Sequence, residues 1–206
     1  LLDLEHFNEA SVFLALKARF ERGIVHTFCG QTLISCNPWY DIPMYTPDVK
    51  FLYRGLPSWQ SQRVPPHLYA VAQYALAEML QGEDAHTIVL SGRNGSGKTE
   101  AAKHLMSFLA FCDDPSAATA PEDDDTEHSG QNGTRRRVGE LLDDCMVVLE
   151  AFGNAATREN WNSSRFGLLT QIFYDVNGRL SGAALVPFLF ERMRTSFVKN
   201  GERNFN

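Results

Sequence analysis

Apolar residues recur at helical spacing in four stretches of the chain. In residues 12–22, Val12, Phe13, Leu16 and Phe20 share a face, with Ser11 as the expected N-cap. Pro65-Pro66 opens a helix running to about Leu80, along which Tyr69, Ala72, Gln73, Leu76 and Met79 recur. Residues 98–111 place Ala102, Leu105, Met106 and Leu109 together, and 141–152 carry a stripe of Leu141, Leu142, Cys145, Val148, Leu149 and Phe152 that stops at Gly153. Other stretches have strand character. Residues 27–36 read as strand, turn, strand, with Cys29-Gly30 near the turn, and 86–91 form a short β-branched run. Residues 166–175 and 180–190 flank the hairpin turn Asn177-Gly178, and 195–198 read as one more strand. Between them, 37–47 hold Pro38, Pro43 and Pro47, which demand an extended, stiff segment. The mixture predicts an α/β fold whose sheet is mixed, mainly parallel and twisted, flanked by helices.

Residues 113–137 break this pattern. Pro115, Pro121, the run Glu122-Asp123-Asp124-Asp125 and Arg135-Arg136-Arg137 leave too little apolar area to offset ordering entropy, so a disordered surface loop is expected. With 206 residues, 44% of them hydrophobic, the chain is long enough for one sizeable core. Its net charge of −6 argues against non-specific nucleic-acid binding, and no apolar run has the length of a membrane span. Cys29, Cys36, Cys112 and Cys145 lack metal or redox spacing and read as reduced thiols. Asn94, Asn132 and Asn162 each begin an Asn-x-Ser/Thr triplet, and these read as coincidence.

The chemistry concentrates in Gly92-Arg93-Asn94-Gly95-Ser96-Gly97-Lys98-Thr99, which matches G-x-x-x-x-G-K-[ST]. Its glycines let backbone N–H groups wrap an anion, Lys98 supplies charge to outer phosphates, and Thr99 offers a hydroxyl to Mg²⁺. A strand before it and a helix after it place a helix N-terminus under the phosphates. A second polar cluster, Asn160-Trp161-Asn162-Ser163-Ser164-Arg165-Phe166-Gly167, lies between a helix and a strand. A nucleoside triphosphate needs a further oxygen ligand for Mg²⁺ and donors for its γ-phosphate, which such a segment supplies.

Together these residues resemble the myosin motor domain, over nearly the whole chain. The glycine loop is similar to Gly-Glu-Ser-Gly-Ala-Gly-Lys-Thr of that family, and 154–167 resemble its switch I, Asn-Ala-Lys-Thr-x-Arg-Asn-x-Asn-Ser-Ser-Arg-Phe-Gly. Asn37-Pro38 with Tyr45-Thr46-Pro47 resembles its purine-binding loop, here 37–47. Residues 4–19, 174–183 and 201–205 resemble the opening helix, the hairpin after switch I and the segment beyond it. Kinesins share a phosphate loop and Ser-Ser-Arg, but Phe166-Gly167 and the Asn37-Pro38 and Tyr45 pattern separate this chain from them. The resemblance implies a phosphate-loop NTPase core that binds ATP and Mg²⁺ and hydrolyses the nucleotide in a motor acting on actin filaments in the cytoplasm. It also admits light chains or calmodulin as partners of a complete motor.

Residue by residue, the resemblance gives Lys98 the β- and γ-phosphates, Thr99 and Ser164 the Mg²⁺, and Ser163 the γ-phosphate and attacking water. Asn160 and Asn162 would hold the phosphates and switch I. Asn37, Pro38 and Tyr45 would border the adenine. Gly92, Arg93, Asn94, Gly95, Ser96, Gly97 and Glu100 complete the phosphate-loop region. Arg165 would pair with a switch II glutamate. Arg93-Asn94, Ser96, Ala156, Glu159 and Tyr40 depart from the family's usual residues, Glu159 by charge reversal. No Asp-x-x-Gly-Phe-Glu is present, so the expectation is the early half of a motor, with no partner for Arg165 inside the chain. A myosin-like tether without normal turnover is the alternative that the departures motivate. An unrelated phosphate-loop kinase or GTPase has only 92–99 in its favour.

Overall fold

The computed structural model describes residues 1, 4–61, 63–82, 85–113 and 138–204. Of the expected surface loop, 113–137, Asp113 is helical and the rest, Asn132 with it, lies outside the described residues, as does Phe205. The chain forms two compact units, Leu1–Phe108 and Leu109–Asn206.

In the first unit, helix α1 spans Glu9–Phe20. Its N-cap is Asn8, whose side-chain oxygen accepts the Ser11 N–H, so the helix starts earlier than Ser11 implied. Strands β1, His26–Cys29, and β2, Thr32–Ser35, form the expected hairpin, with Gly30 at φ 60°. After the proline-rich stretch come α2, Pro47–Tyr53, capped by Thr46, and α3, Ser58–Ser61. Helix α4, Leu68–Gly82, buries Tyr69, Ala72, Gln73 and Leu76. Gln73 ties α4 to the turn after α2, donating to the Leu56 carbonyl at 2.9 Å and accepting from the Gly55 N–H at 3.3 Å. Helix α5, Lys98–Asp113, starts inside the glycine loop and ends in the second unit. Phe108 on α5 is fully buried and stacks on Tyr69 at 4.7 Å.

In the second unit, α6, Val138–Gly153, runs directly into strand β3, Asn154–Ala156. Strand β3 pairs with β4, Ser163–Ser164, and with β7, Arg203–Asn204. Strands β5, Gly167–Tyr174, and β6, Leu180–Phe188, form a long hairpin. Its turn is closed by the Asp175 carboxylate, which accepts N–H groups of Asn177 and Arg179, each at 2.8 Å. Asp113 at the end of α5 accepts the Leu180 N–H at 3.0 Å. Gly153 has no room for a side chain, because the Phe166 ring lies where a Cβ would stand.

Three expectations are corrected. Every strand pair among the described residues is antiparallel, in small sheets of two, three and two strands, so the mainly parallel sheet is not seen. Short connections such as 30–31 and 175–179 close hairpins, whereas a parallel pair needs a long crossover. Residues 86–91 form no strand, and Val89 is 80% exposed. A β-branched run becomes a strand only where a neighbour completes its ladder, and no described residue does so here. Residues 195–198 are not a strand either: a 3₁₀ turn, Arg192–Thr195, takes the first of them and the rest are irregular. The Thr195 and Ser196 hydroxyls bond back to the carbonyls of Arg192 and Met193, at 2.7 and 3.1 Å, competing with a ladder. The α6 stripe is also less buried than its spacing suggests, since Val148 and Phe152 are exposed.

Candidate functional site: a glycine loop and an asparagine-stitched hairpin

Gly92, Gly95 and Gly97 have φ of 151°, 73° and 86°, a region that side chains resist. A Cβ on Gly92 would also stand 2.6 Å from Ser96 Oγ. The glycine spacing is therefore a backbone requirement. The loop closes through the Ser96 N–H and the Arg93 carbonyl at 3.2 Å, and α5 begins with the Ala101 N–H bonded to the Gly97 carbonyl at 2.8 Å. Lys98 Nζ donates to the carbonyls of Gly92 and Arg93, at 2.7 and 2.8 Å, which keeps its charge over the loop. Thr99 and Glu100 follow in the first turn of α5, where Glu100 pairs with Lys103 at 3.3 Å. Arg93 and Asn94 are exposed.

Asn37 joins the 37–47 segment to this loop. Its Nδ2 donates to the Gly95 carbonyl at 2.7 Å, and its Oδ1 accepts the Trp39 N–H at 3.1 Å. Pro38 follows it, half-buried, while Trp39 and Tyr40 are exposed. Tyr45 sits inside an aromatic cluster. Its ring stacks on His104 of α5 at 3.6 Å, and its hydroxyl lies 3.4 Å from His26 Nε2. Burial pushes the Tyr45 phenol up to about 12. Sequence reasoning missed His26, His67 and His104 here, because lone histidines on apolar faces give no spacing signal. It also missed Lys50, whose ammonium donates to Ser107 Oγ at 2.7 Å.

In the second unit, 154–165 form a hairpin stitched by its own amides. Asn154 Nδ2 donates to Asn162 Oδ1 at 2.7 Å, Asn160 Nδ2 to the Asn162 carbonyl at 2.9 Å, and the Asn162 N–H to Asn160 Oδ1 at 3.2 Å. Thr157 Oγ1 accepts the Asn160 N–H at 3.1 Å. Ser163 is buried, and its Oγ accepts from Arg165 at 3.3 Å. Ser164 pairs with Asn154 in the β3–β4 ladder. Glu159 is exposed, and Ala156 is buried within β3.

Arg165 does have a partner inside the chain. Its Nε donates to Glu191 Oε2 at 2.5 Å, and Arg194 bridges the same Glu191 oxygen at 2.6 Å and Glu202 at 2.7 Å. The Arg165 bond, and then that of Arg194, hold the Glu191 carboxyl below its usual range. The expectation of an unpaired Arg165 overlooked Glu191 because the two lie 26 positions apart and only the fold joins them.

Glycines with left-handed φ, a lysine at the head of the following helix and the Thr99 hydroxyl beside it are donors that fit a phosphate group. Among the described residues no cluster of three His, Cys, Asp or Glu suits a softer metal, and no helix is long and apolar enough to cross a membrane. These features define a phosphate-loop protein. The chain belongs to the family described as Myosin head (motor domain), which it matches over residues 1–206. It is 39% identical to unconventional myosin-Ig of Homo sapiens over 191 residues, 93% of this chain and 17% of that protein. It is 36% identical to unconventional myosin IC of Drosophila melanogaster over 204 residues, 98% of this chain and 18% of that protein. To unconventional myosin-XV of Homo sapiens it is 35% identical over 207 residues, 100% of this chain and 5% of that protein. The chain thus spans less than a fifth of each of these relatives.

Proposed function

We propose that this chain is the ATP-binding part of an actin-based motor and contributes to Mg²⁺-dependent ATP hydrolysis in the cytoplasm. The observation that carries this is the left-handed glycine loop with Lys98 tethered across it and Asn37 bonded to its Gly95 carbonyl. Lys98 is placed to exchange its two carbonyl partners for phosphate oxygens, at little cost because both are charge-assisted bonds. The loop N–H groups and the N-terminus of α5 add fixed positive potential. Thr99 and Ser164 would hold Mg²⁺, which when bound neutralises charge on the phosphoryl oxygens. Ser163 serves the γ-phosphate side, where Arg165 fixes its hydroxyl. Asn160 and Asn162 hold that segment in shape, which favours catalysis by positioning. Asn37, Pro38 and Tyr45 border the base.

A second reading has its own support. Arg165 is already bound to Glu191, Ala156 puts no charge in β3, and Glu159 adds a negative one nearby. These favour a tether that binds nucleotide with slow turnover. The test is single-turnover ATP hydrolysis and actin-stimulated steady-state ATPase in the full-length protein. Motor function predicts hydrolysis that actin filaments accelerate and that Lys98→Ala abolishes along with nucleotide binding. Tight nucleotide binding without hydrolysis selects the tether, and undiminished binding by Lys98→Ala overturns the site itself.

A further inference from the structure

Three histidines meet where the 37–47 segment packs on α4, α5 and β1. His67, just before α4, uses both ring nitrogens: Nε2 donates to the Met44 carbonyl at 2.9 Å, while Nδ1 accepts the Tyr69 N–H at 3.0 Å. That pair of bonds admits only the neutral ring, because a proton on Nδ1 would face the Tyr69 N–H. His26 on β1 is buried, 5.3 Å from His67 between ring centres, with Nε2 toward the Tyr45 hydroxyl and Nδ1 without a partner among the described residues. His104 on α5 carries the Tyr45 ring. The Tyr69 hydroxyl donates to the Tyr45 carbonyl at 3.4 Å. Met44 and Tyr45 are thus held by His67, Tyr69, His26 and His104, while the other end of the same segment holds Gly95 through Asn37.

We propose that His67 is a positioning residue for the nucleotide: with His26 and His104 it locks residues 37–47 onto the phosphate-loop helix, and a proton on its Nδ1 releases them and weakens nucleotide binding. This rests on the nucleotide-site reading above. The groups facing the triad are Tyr45 from the loop, Tyr53 and Lys50 from α2, Tyr69 from α4, Glu100 and Lys103 from α5, and Arg19 from α1, bonded to the His26 carbonyl. Of the charged groups only Glu100 favours a charged histidine, and it acts on His104; at His67 the Met44 carbonyl works in the same direction but burial outweighs it. A cation at His104 would also gain from the Tyr45 ring beneath it, so the release is assigned to His67 and His26. Burial pulls both down to about 4, and at His26 the neighbouring histidines add to this. The sign follows: the released segment takes up protons near the ordinary histidine value, the locked one only near 4, so the lock weakens as pH falls from about 6.5 toward 4.

His67→Gln supplies the test, because a carboxamide offers one donor and one acceptor but does not titrate in this range. In the full-length protein, hydrogen exchange of segments 37–47 and 67–73, corrected for the intrinsic rate, should show opening that grows roughly sixtyfold from pH 7 to pH 5.5, because two histidines take up protons. His67→Gln, which keeps His26, should show a growth of only about eightfold. Across the same pH change, the Kd for Mg·ADP should rise in each protein as the reciprocal of its locked fraction, and so more for wild type than for His67→Gln; the diphosphate's own titration is common to both. Equal opening in the two proteins overturns the lock. Locked fractions that fall unequally while the Kd ratios stay equal overturn its coupling to nucleotide, provided Lys98→Ala abolishes binding at pH 7. If Lys98→Ala binds as wild type does, the site reading fails, and exchange alone then decides whether the histidines lock the segment.

Discussion

The glycine-loop region and the hairpin 154–165 are braced by different physics. The first stands on backbone conformations that only glycine tolerates easily and on buried rings: Tyr45 on His104, Tyr69 on Phe108. The second stands on amides within its own strands and on an ion-pair chain that is partly exposed at Arg165 and Glu191 and largely buried at Arg194 and Glu202. Packed rings lose much when disturbed, because a void forfeits dispersion contacts. Half-exposed ion pairs lose little, because water and salt replace them. The difference teaches where each part is able to move: the loop holds its shape, and the hairpin is able to exchange partners.

The sharpest way to break this contrast is at Phe108. Truncation to Ala removes a fully buried ring that stacks on Tyr69 and should cost about 3–5 kcal/mol. Hydrogen exchange should report the loss first in α4 and in the 37–47 segment. A loss below about 1 kcal/mol would mean that ring packing does not brace the loop. Next comes Gly153→Ala, which sets a methyl group against the Phe166 ring at the junction of α6 and β3. Overpacking of this kind costs about 1–3 kcal/mol, measured as a lower denaturant midpoint with unchanged slope. Were the change neutral, this tight contact would be as adjustable as the ion pairs.

Much of this division was legible in the residues themselves. Gly92, Gly95, Gly97 and Lys98 announce their conformation because a left-handed loop tolerates few alternatives. Asn177-Gly178 announces its turn for the same reason. The amphipathic helices were placed to within a few residues, though Asn8 rather than Ser11 caps the first. What could not be read depends on distant partners. Residues 86–91 have strand chemistry but no ladder, and the Thr195 and Ser196 hydroxyls divert their segment into a turn. Glu191 finds Arg165 only through the β5–β6 hairpin, and the histidine cluster draws on β1, α4 and α5 at once.

Asn37→Ala sharpens the comparison on the loop side with a smaller effect. It deletes one bond to the Gly95 carbonyl and one to the Trp39 N–H, together worth about 1–2 kcal/mol. Both atoms sit at the join between the 37–47 segment and the glycine loop. The loss should therefore appear mainly in nucleotide affinity, as a roughly five- to thirtyfold higher Kd for Mg·ADP. A stability loss of that size with unchanged affinity would place the join outside the nucleotide site.

The smallest effect belongs to Glu191→Gln, and it bears most directly on the hairpin's freedom. Glutamine keeps the shape and removes the charge that Arg165 and Arg194 share. Glu191 is 36% exposed, so stability should change by no more than about 1 kcal/mol, and less at high salt. The pH dependence has a defined sign. The carboxyl is held below its usual range, so its contribution is present above the ordinary carboxylate value and fades as pH falls through the lowered one. Wild type and Glu191→Gln should then converge in stability on acidification. The functional consequence separates the two proposed activities. If Glu191 merely parks Arg165 until a better partner arrives, the substitution should leave single-turnover ATP hydrolysis unchanged or faster. If Glu191 is what orients Arg165 toward Ser163, hydrolysis should slow while Mg·ADP affinity holds, because a group that acts only in the chemical step leaves ground-state binding alone.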